Sequence, residues 1–288
     1  MTTNLVEQYK ELKLQYQVPH LINDNKRVLF VLESPHVDEL IHKSPVSGPS
    51  GKSMTKTLFP YQNQALGIKL KSEPEHIIGI MNICSVPMQE AAYNDKKVIE
   101  LYNSNHESVR ANSFFNVLEN IREKPKTNYN NIETNELQNA ILDDFREEMR
   151  KLENQPLLII PCGNTASVFF SIAGVTSTNW TILSGIPHPS FNSWHRNTNK
   201  SLIHSMRLKI NEIYWELRKI DSVPLLPIEG FHSLIDEHNI NLNQLALDLN
   251  EDDYYLVKVY EGRAEISTEL AEKLDNFFAI PKEIWITK

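Results

Sequence analysis

Four short apolar runs, KRVLFVLE, IIGIMNICSV, PLLIIPCG and WTILSG, constrain the fold of this chain more than any other feature. Each is continuous rather than alternating and is bounded by polar residues or by Gly and Pro, which is the pattern of a strand buried on both faces. Between the runs lie helix-length polar segments near 53–66, 106–120, 135–153 and 164–173, and a long candidate helix follows from about 199 to 219. Residues 4–17 carry apolar side chains at helical spacing ahead of the first run. Strands alternating with helices specify an α/β fold with a mainly parallel central sheet flanked by helices. In such sheets ligands sit beyond the carboxyl ends of the strands. The segments that follow the runs, ESPHVDEL, NICSVPMQ, CGNT and PHPSFNSWHR, therefore bring carboxylates, an amide and histidines toward one edge.

The alternation stops at DSVPLLPIEG, where Pro224 and Pro227 cannot continue a helix. Residues 1–222 read as the larger domain, 223–230 as a linker and 231–288 as a small all-α domain. Charge divides at the same place. Of 29 Lys/Arg and 37 Asp/Glu, 5 and 13 lie in 225–288, so the remaining 24 and 24 balance and the whole deficit of −8 sits in the last segment. A local basic face on the larger part stays compatible with an acidic partner such as DNA. No apolar run approaches the ~20 residues of a membrane span, and MTTNLVEQYK lacks the apolar core of a signal peptide, so no membrane contact and a cytoplasmic location are expected. The two cysteines, Cys84 and Cys162, each sit in an apolar run and cannot build a disulfide framework or a four-thiolate site.

Two stretches depart from ordinary loop composition. In SPVSGPSGKS, Gly48 and Gly51 permit close backbone approach ahead of a candidate helix start near Ser53, and such a turn offers N–H groups to a phosphate through Ser47, Gly48, Ser50 and Lys52. The glycines lie too close to Lys52-Ser53 for a nucleotide-triphosphatase loop. In SGIPHPSFNSWHRN, aromatic and proton-active side chains replace the usual Ser, Asp, Asn and Gly, and Pro187 and Pro189 stiffen the chain.

Taken together, Leu32-Glu33-Ser34-Pro35-His36, Pro45-Val46-Ser47-Gly48-Pro49-Ser50-Gly51, Asn82 in IMNICSVP, LLIIPCGNTA and His188-Pro189-Ser190 resemble, in order and spacing, the motifs of the uracil-DNA glycosylase superfamily. The resemblance spans about residues 25–220. It implies an enzyme that flips a nucleotide out of DNA and hydrolyses the base–sugar bond to leave an abasic site, with no catalytic lysine and no cofactor. It gives His188 the task of stabilising charge on the departing base, places Ser190 against a phosphate, and makes Phe191, Asn192 and Trp194 candidates for the wedge and Arg196 for a backbone contact. Asn82 pairs with the edge of the flipped base. Ser34 stands where many members place the Asp or Asn that orients water, so the catalytic carboxylates are sought in Glu33 and Glu39, with Asp38 in reserve; a carboxylate can both position water and stabilise an oxocarbenium-like sugar. The iron–sulfur cysteines of the acidic branch are absent, which implies a cluster-free relative.

Val46 occupies the place of the ring that stacks on uracil, and His36 replaces a small glycine of the turn, unless the register shifts and Phe59 or Tyr61 supplies the stack. These departures point away from plain uracil toward a bulkier base, such as the glucosylated hydroxymethylcytosine of phage DNA, with antiviral defence as the role. Uracil repair and non-catalytic DNA binding are the alternatives. The tail around NLNQLALDLNEDDYYLVKVYEG resembles the lambda-repressor-like helix-turn-helix family. Its second helix carries acidic residues against the single Lys258, the wrong sign for phosphate contact, which favours a homodimer or protein-partner module.

Overall fold

A computed structural model of the chain describes residues 4–59, 62–103, 113–221 and 227–286. The Cα framework divides into two compact units, residues 1–55 with 64–196 and residues 56–63 with 197–288. The first unit is built on four parallel strands, β1 (Val28–Leu32), β2 (Ile78–Asn82), β3 (Leu157–Pro161) and β4 (Trp180–Ile182), in the order β2-β1-β3-β4. Every residue of β1, β2 and β3 is buried, as continuous apolar runs require. WTILSG differs from the expectation of a buried strand. β4 has one neighbour, is three residues long and leaves Thr181 and Ile182 exposed.

One face of the sheet is covered by α1 (Leu5–Tyr16), α7 (Ser113–Glu123), α8 (Ile132–Lys151) and α9 (Asn164–Ala173), whose Tyr9, Phe115, Phe145 and Phe169 pack with Leu29 and Val31 in one core. Asn4 and Asn131 cap α1 and α8 by accepting the backbone N–H of Val6 and Thr134. The polar stretch 128–135 thus supplies the start of α8. Six further helices or turns run from the strand ends: α2 (Val37–His42), α3 (Pro49–Leu58), α4 (Leu66–Ser72), α5 (Glu90–Tyr93), α6 (Lys96–Tyr102) and the short 3-10 turns of 190–195. α3 begins at Pro49 rather than near Ser53, since proline's fixed φ and missing N–H suit the first helical position.

The second unit is helical among its described residues: α10 (Lys200–Asp221), α11 (Pro227–Glu237), α12 (Leu242–Leu249), α13 (Asp253–Tyr260), α14 (Thr268–Phe278) and α15 (Lys282–Trp285). Phe231, Leu245, Leu256, Leu270, Leu274 and Trp285 form its core. Arg207 donates to the Phe277 carbonyl at 2.7 Å and Asn211 to the Phe278 carbonyl at 2.9 Å, so α10 is tied to the end of α14. Pro227 opens α11, and the segment read as a linker contributes its last four residues to that helix. Residues 222–226 lie outside the described residues. No described helix is long and apolar enough to cross a membrane.

Candidate active site

Because the strands are parallel, their carboxyl ends share one edge, and a cleft of about 860 Å³ opens there. It is lined by Glu33 and Ser34 after β1, Asn82 at the end of β2, and His188 after β4. Gly163, with φ +89°, brings the β3 end against the histidine loop. A Cβ at that position would lie 2.8 Å from the His188 Cβ, and the Gly163 N–H donates to the Ile186 carbonyl at 2.8 Å.

The His188 ring is defined by its partners. The Ser190 backbone N–H can only donate, and it lies 3.2 Å from Nδ1, with the Ser190 hydroxyl at 2.9 Å from the same nitrogen. Nδ1 is therefore the acceptor and the neutral ring carries its proton on Nε2. Burial holds the imidazole below the usual histidine pKa, which favours this neutral form. The loop backbone is braced by the Ser193 hydroxyl on the His188 carbonyl and by the Trp194 indole N–H on the Pro187 carbonyl at 2.8 Å.

The three carboxylates of ESPHVDEL all line the cleft but are held differently. Glu39 accepts the backbone N–H of His36 and of Val46, each at 2.7 Å, as the third residue of a capped helix. Burial pushes its pKa up to about 7 against the pull of those two hydrogen bonds and of the nearby Asn82 amide. Glu33 accepts from Arg122 at 3.3 Å; burial raises its pKa, opposed by Arg122 and by a hydrogen bond from Thr165. Asp38 makes no hydrogen bond or ion pair to the described residues. It sits against Gly48, where a Cβ would lie 2.4 Å from its Oδ2. Glu39 and Glu33, the carboxylates preferred from the sequence, are thus held by backbone N–H groups and by Arg122, and Asp38, the reserve, is held by neither.

Asn82 is 1% exposed. Its amide influences Glu39, yet neither amide atom has a hydrogen bond of good geometry to any described residue. An amide buried in that condition costs about 1–3 kcal/mol unless a ligand completes it. Val46 lines the cleft in a left-handed conformation, φ +54°, strained for a β-branched residue and pinned by Glu39 on its N–H and by Gly67 donating to its carbonyl at 3.2 Å. Ser34 and His36 also face the cleft. Phe59 is not among the lining residues, and Tyr61 lies outside the described residues. Gln89 and Arg122 line the cleft without having been singled out in the sequence. Gln89 closes the flagged segment NICSVPMQ, whereas Arg122 arrives on the last turn of α7, where a lone basic residue gives no signal.

The expected DNA-facing residues separate into two sets. Phe191 is 88% exposed at the loop tip, and it and Asn192 both adopt left-handed backbone, φ +52° and +55°. Arg196 is exposed and donates to the Phe191 carbonyl at 3.2 Å, while Gly48, Ser50 and Ser190 line the cleft and Lys52 is exposed on α3. Trp194 and Ser47 do not fit. Trp194 is 2% exposed and packs on Phe30 of β1 at 5.8 Å between ring centres, so it anchors the loop and cannot act as a wedge. Ser47 is buried with its hydroxyl on the Ser44 carbonyl at 2.6 Å. Cys84 and Cys162 are buried and free, so a thiolate-held cluster has no ligand set in this chain.

Residues 19–210 match the family model of the Uracil DNA glycosylase superfamily. Comparison with curated proteins and with solved structures gives no match.

Proposed function

The chain belongs to the uracil DNA glycosylase superfamily, and from that premise we propose that it is a monofunctional DNA glycosylase acting on a modified base. The observation that carries this reading is the Nε2–H of a neutral His188 presented to a cleft that also holds an open carboxylate and an unsatisfied buried amide. A flipped nucleotide enters the cleft with its hydrogen-bonding edge toward Asn82. The C1′–N bond breaks with its electron pair going to the base, and the developing negative charge accepts the His188 Nε2–H. Asp38 holds the water that attacks C1′ and takes its proton, while its charge and that of Glu33 stabilise the oxocarbenium-like sugar. Glu39, with both oxygens on backbone N–H groups, fixes the wall that carries His36 and Val46. Phe191 fills the gap left in the stack, with Arg196 and Lys52 toward the phosphates.

A modified cytosine of phage DNA, such as the glucosylated hydroxymethyl form, suits the cleft better than uracil. Val46 offers no aromatic stacking surface, and about 860 Å³ lies at the upper end of the range for ligand pockets. Antiviral defence in the cytoplasm is the role this substrate implies. Duplexes carrying uracil or glucosylated hydroxymethylcytosine, incubated with the protein and then with alkali, report abasic sites as strand breaks. Breaks confined to the modified duplex are expected. No breaks in either would leave a non-catalytic DNA-binding regulator as the better reading.

Residues 231–288 serve as a helix-turn-helix-like module for protein contact or dimerisation. α12 and α13 are joined through a left-handed Asn250, and the second of them opens on Asp252 and Asp253. Exposed Leu247 and Tyr254 supply apolar contact, and the Lys258 ammonium lies over the Tyr254 ring at 4.3 Å instead of standing free for phosphate.

A further inference from the structure

Asn82 holds its amide at the cleft with no hydrogen bond of good geometry to steady it among the described residues, so its placement comes from its backbone. On one side that backbone is fixed by the sheet. Asn82 stands in register with Leu32 of β1, and the Ile83 N–H donates to the Leu32 carbonyl at 2.9 Å. The other side is the outer edge of the sheet, since β2 ends the strand order. Residues 18–21 run along that edge. Leu21 and Ile80 exchange both backbone hydrogen bonds, at 2.9 and 3.0 Å, in an antiparallel bridge, and the Val18 N–H donates to the Ser85 carbonyl at 2.9 Å. The next hydrogen-bonded pair of such a ladder, two residues on along each chain, would set Pro19 opposite Asn82. Proline has no N–H to exchange, so the ladder lapses at the residue the cleft uses. The His20 imidazole fills the lapse, with the Asn82 N–H donating to its Nδ1 at 3.4 Å.

The state of the ring suits this contact. Lys13 on α1 and Asp144, Glu148 and Lys151 on α8 act on His20 with opposing signs, but burial is the largest influence and lowers its pKa to about 4. The imidazole is therefore neutral at physiological pH, and a neutral ring whose Nδ1 accepts carries its proton on Nε2. His20 is not among the residues that line the cleft, so it acts on a substrate only through another residue. We propose that His20 is a positioning residue, which sets Asn82 for the flipped base by accepting its backbone N–H from the outer edge of the sheet. This rests on the reading of Asn82 as the group that meets the base edge. Without the acceptor a buried N–H would be left unsatisfied, and the end of β2 would be pinned from one side only. The amide would then lose its fixed place while the sheet stayed whole.

The test uses the full chain with His20→Leu, which keeps apolar bulk but removes the acceptor, and His20→Asn, whose Oδ1 can accept in place of Nδ1. Single-turnover excision is followed on duplexes carrying uracil or glucosylated hydroxymethylcytosine, in the wild-type and Asn82→Ala backgrounds. On the duplex that the wild type cleaves, His20→Leu should slow excision by about 10-fold or more, and His20→Asn should stay within about threefold of wild type. In the Asn82→Ala background His20→Leu should cost less than about twofold further, because the two residues act as a unit. A measurement that needs no variant is the imidazole 15N spectrum of the free protein, which should show His20 unprotonated on Nδ1 and protonated on Nε2. A ring protonated on Nδ1 overturns the contact, whatever the protein excises. His20→Leu within about twofold of wild type, an equal loss in the Asn82→Ala background, or His20→Asn as slow as His20→Leu overturns the positioning role alone. A wild type that excises neither base overturns the proposed function and the task assigned to His20 with it, even where the 15N spectrum shows the contact intact.

Discussion

Replacing His188 by alanine removes the one neutral N–H donor that the loop after β4 presents to the cleft, and the structure allows its effect to be sized. The Ser190 N–H occupies Nδ1, so the proton that matters is on Nε2, and burial favours that neutral ring. Losing a preorganised donor to developing charge typically lowers turnover by on the order of 10²–10³-fold, about 3–4 kcal/mol of barrier. Because the ring is a donor and not a base, the loss should appear in kcat, with DNA affinity changed little. Single-turnover excision at saturating enzyme gives the rate, and fluorescence anisotropy on the same duplex gives the affinity. The histidine also carries a pH signature. Its folded pKa is lowered, so the native state binds fewer protons than the unfolded state where the two differ, and stability falls as pH drops through and below the ordinary value of about 6.5. A protonated Nδ1 would face the Ser190 N–H, donor against donor, so the loop geometry should loosen on the acid side while the excision attributable to His188 stays level from pH 7 to 9. Turnover of His188→Ala within a factor of three of wild type would refute the argument, as would a rate that needs protonated histidine.

Gly48→Ala should fold yet excise at least about 10-fold more slowly, since its Cβ would displace the Asp38 carboxylate; equal rates would remove Asp38 from the water. Gly51→Ala is the contrast, because its Cβ would lie 1.8 Å from the Val46 carbonyl oxygen, and a loss of several kcal/mol in urea unfolding is expected. Phe191→Ala should leave stability within about 0.5 kcal/mol, as the ring is exposed, but slow excision from duplex more than from single-stranded DNA; the same loss on both would deny the wedge. For Glu39, whose folded pKa is raised to about 7, the native state binds the extra proton, so its charge costs stability increasingly as pH rises from about 4.5 to 7. Melting curves should then show the Tm of Glu39→Gln gaining on wild type between pH 5 and 8, and parallel curves would count against the buried charge.

β1, β2 and β3 were legible because burial on both faces leaves an unbroken apolar run, and parallel pairing brings the strand ends to one edge. Asn82 closes β2 and Glu33 follows β1 directly, which is why the sequence places them at that edge, and Asp38, Glu39 and His188 come six or seven residues beyond a strand end. What could not be read was the allocation of tasks within a loop. Glu39 and Asp38 are adjacent carboxylates, and only the backbone path through Val46, left-handed with no glycine to announce it, gives both oxygens of Glu39 to N–H groups while Asp38 stays open. Arg122 reaches Glu33 from a helix 89 residues away in the chain, a contact that no local pattern encodes.

The aromatic pair after His188 shows the same limit most clearly. Phe191 and Trp194 are equivalent as sequence, two rings three residues apart, but left-handed backbone at Phe191 and Asn192 turns the first outward and lets the second pack on Phe30. The conformation is unfavourable for phenylalanine, by on the order of 1–3 kcal/mol, and the exposed ring buries almost nothing in the free protein to offset it. Arg196, donating to the Phe191 carbonyl, and Trp194, held on the Pro187 carbonyl, keep the tip in place from both sides. A strained, braced and exposed ring beside the cleft is intelligible once it has a base stack to enter, because insertion supplies the apolar burial that the free loop lacks.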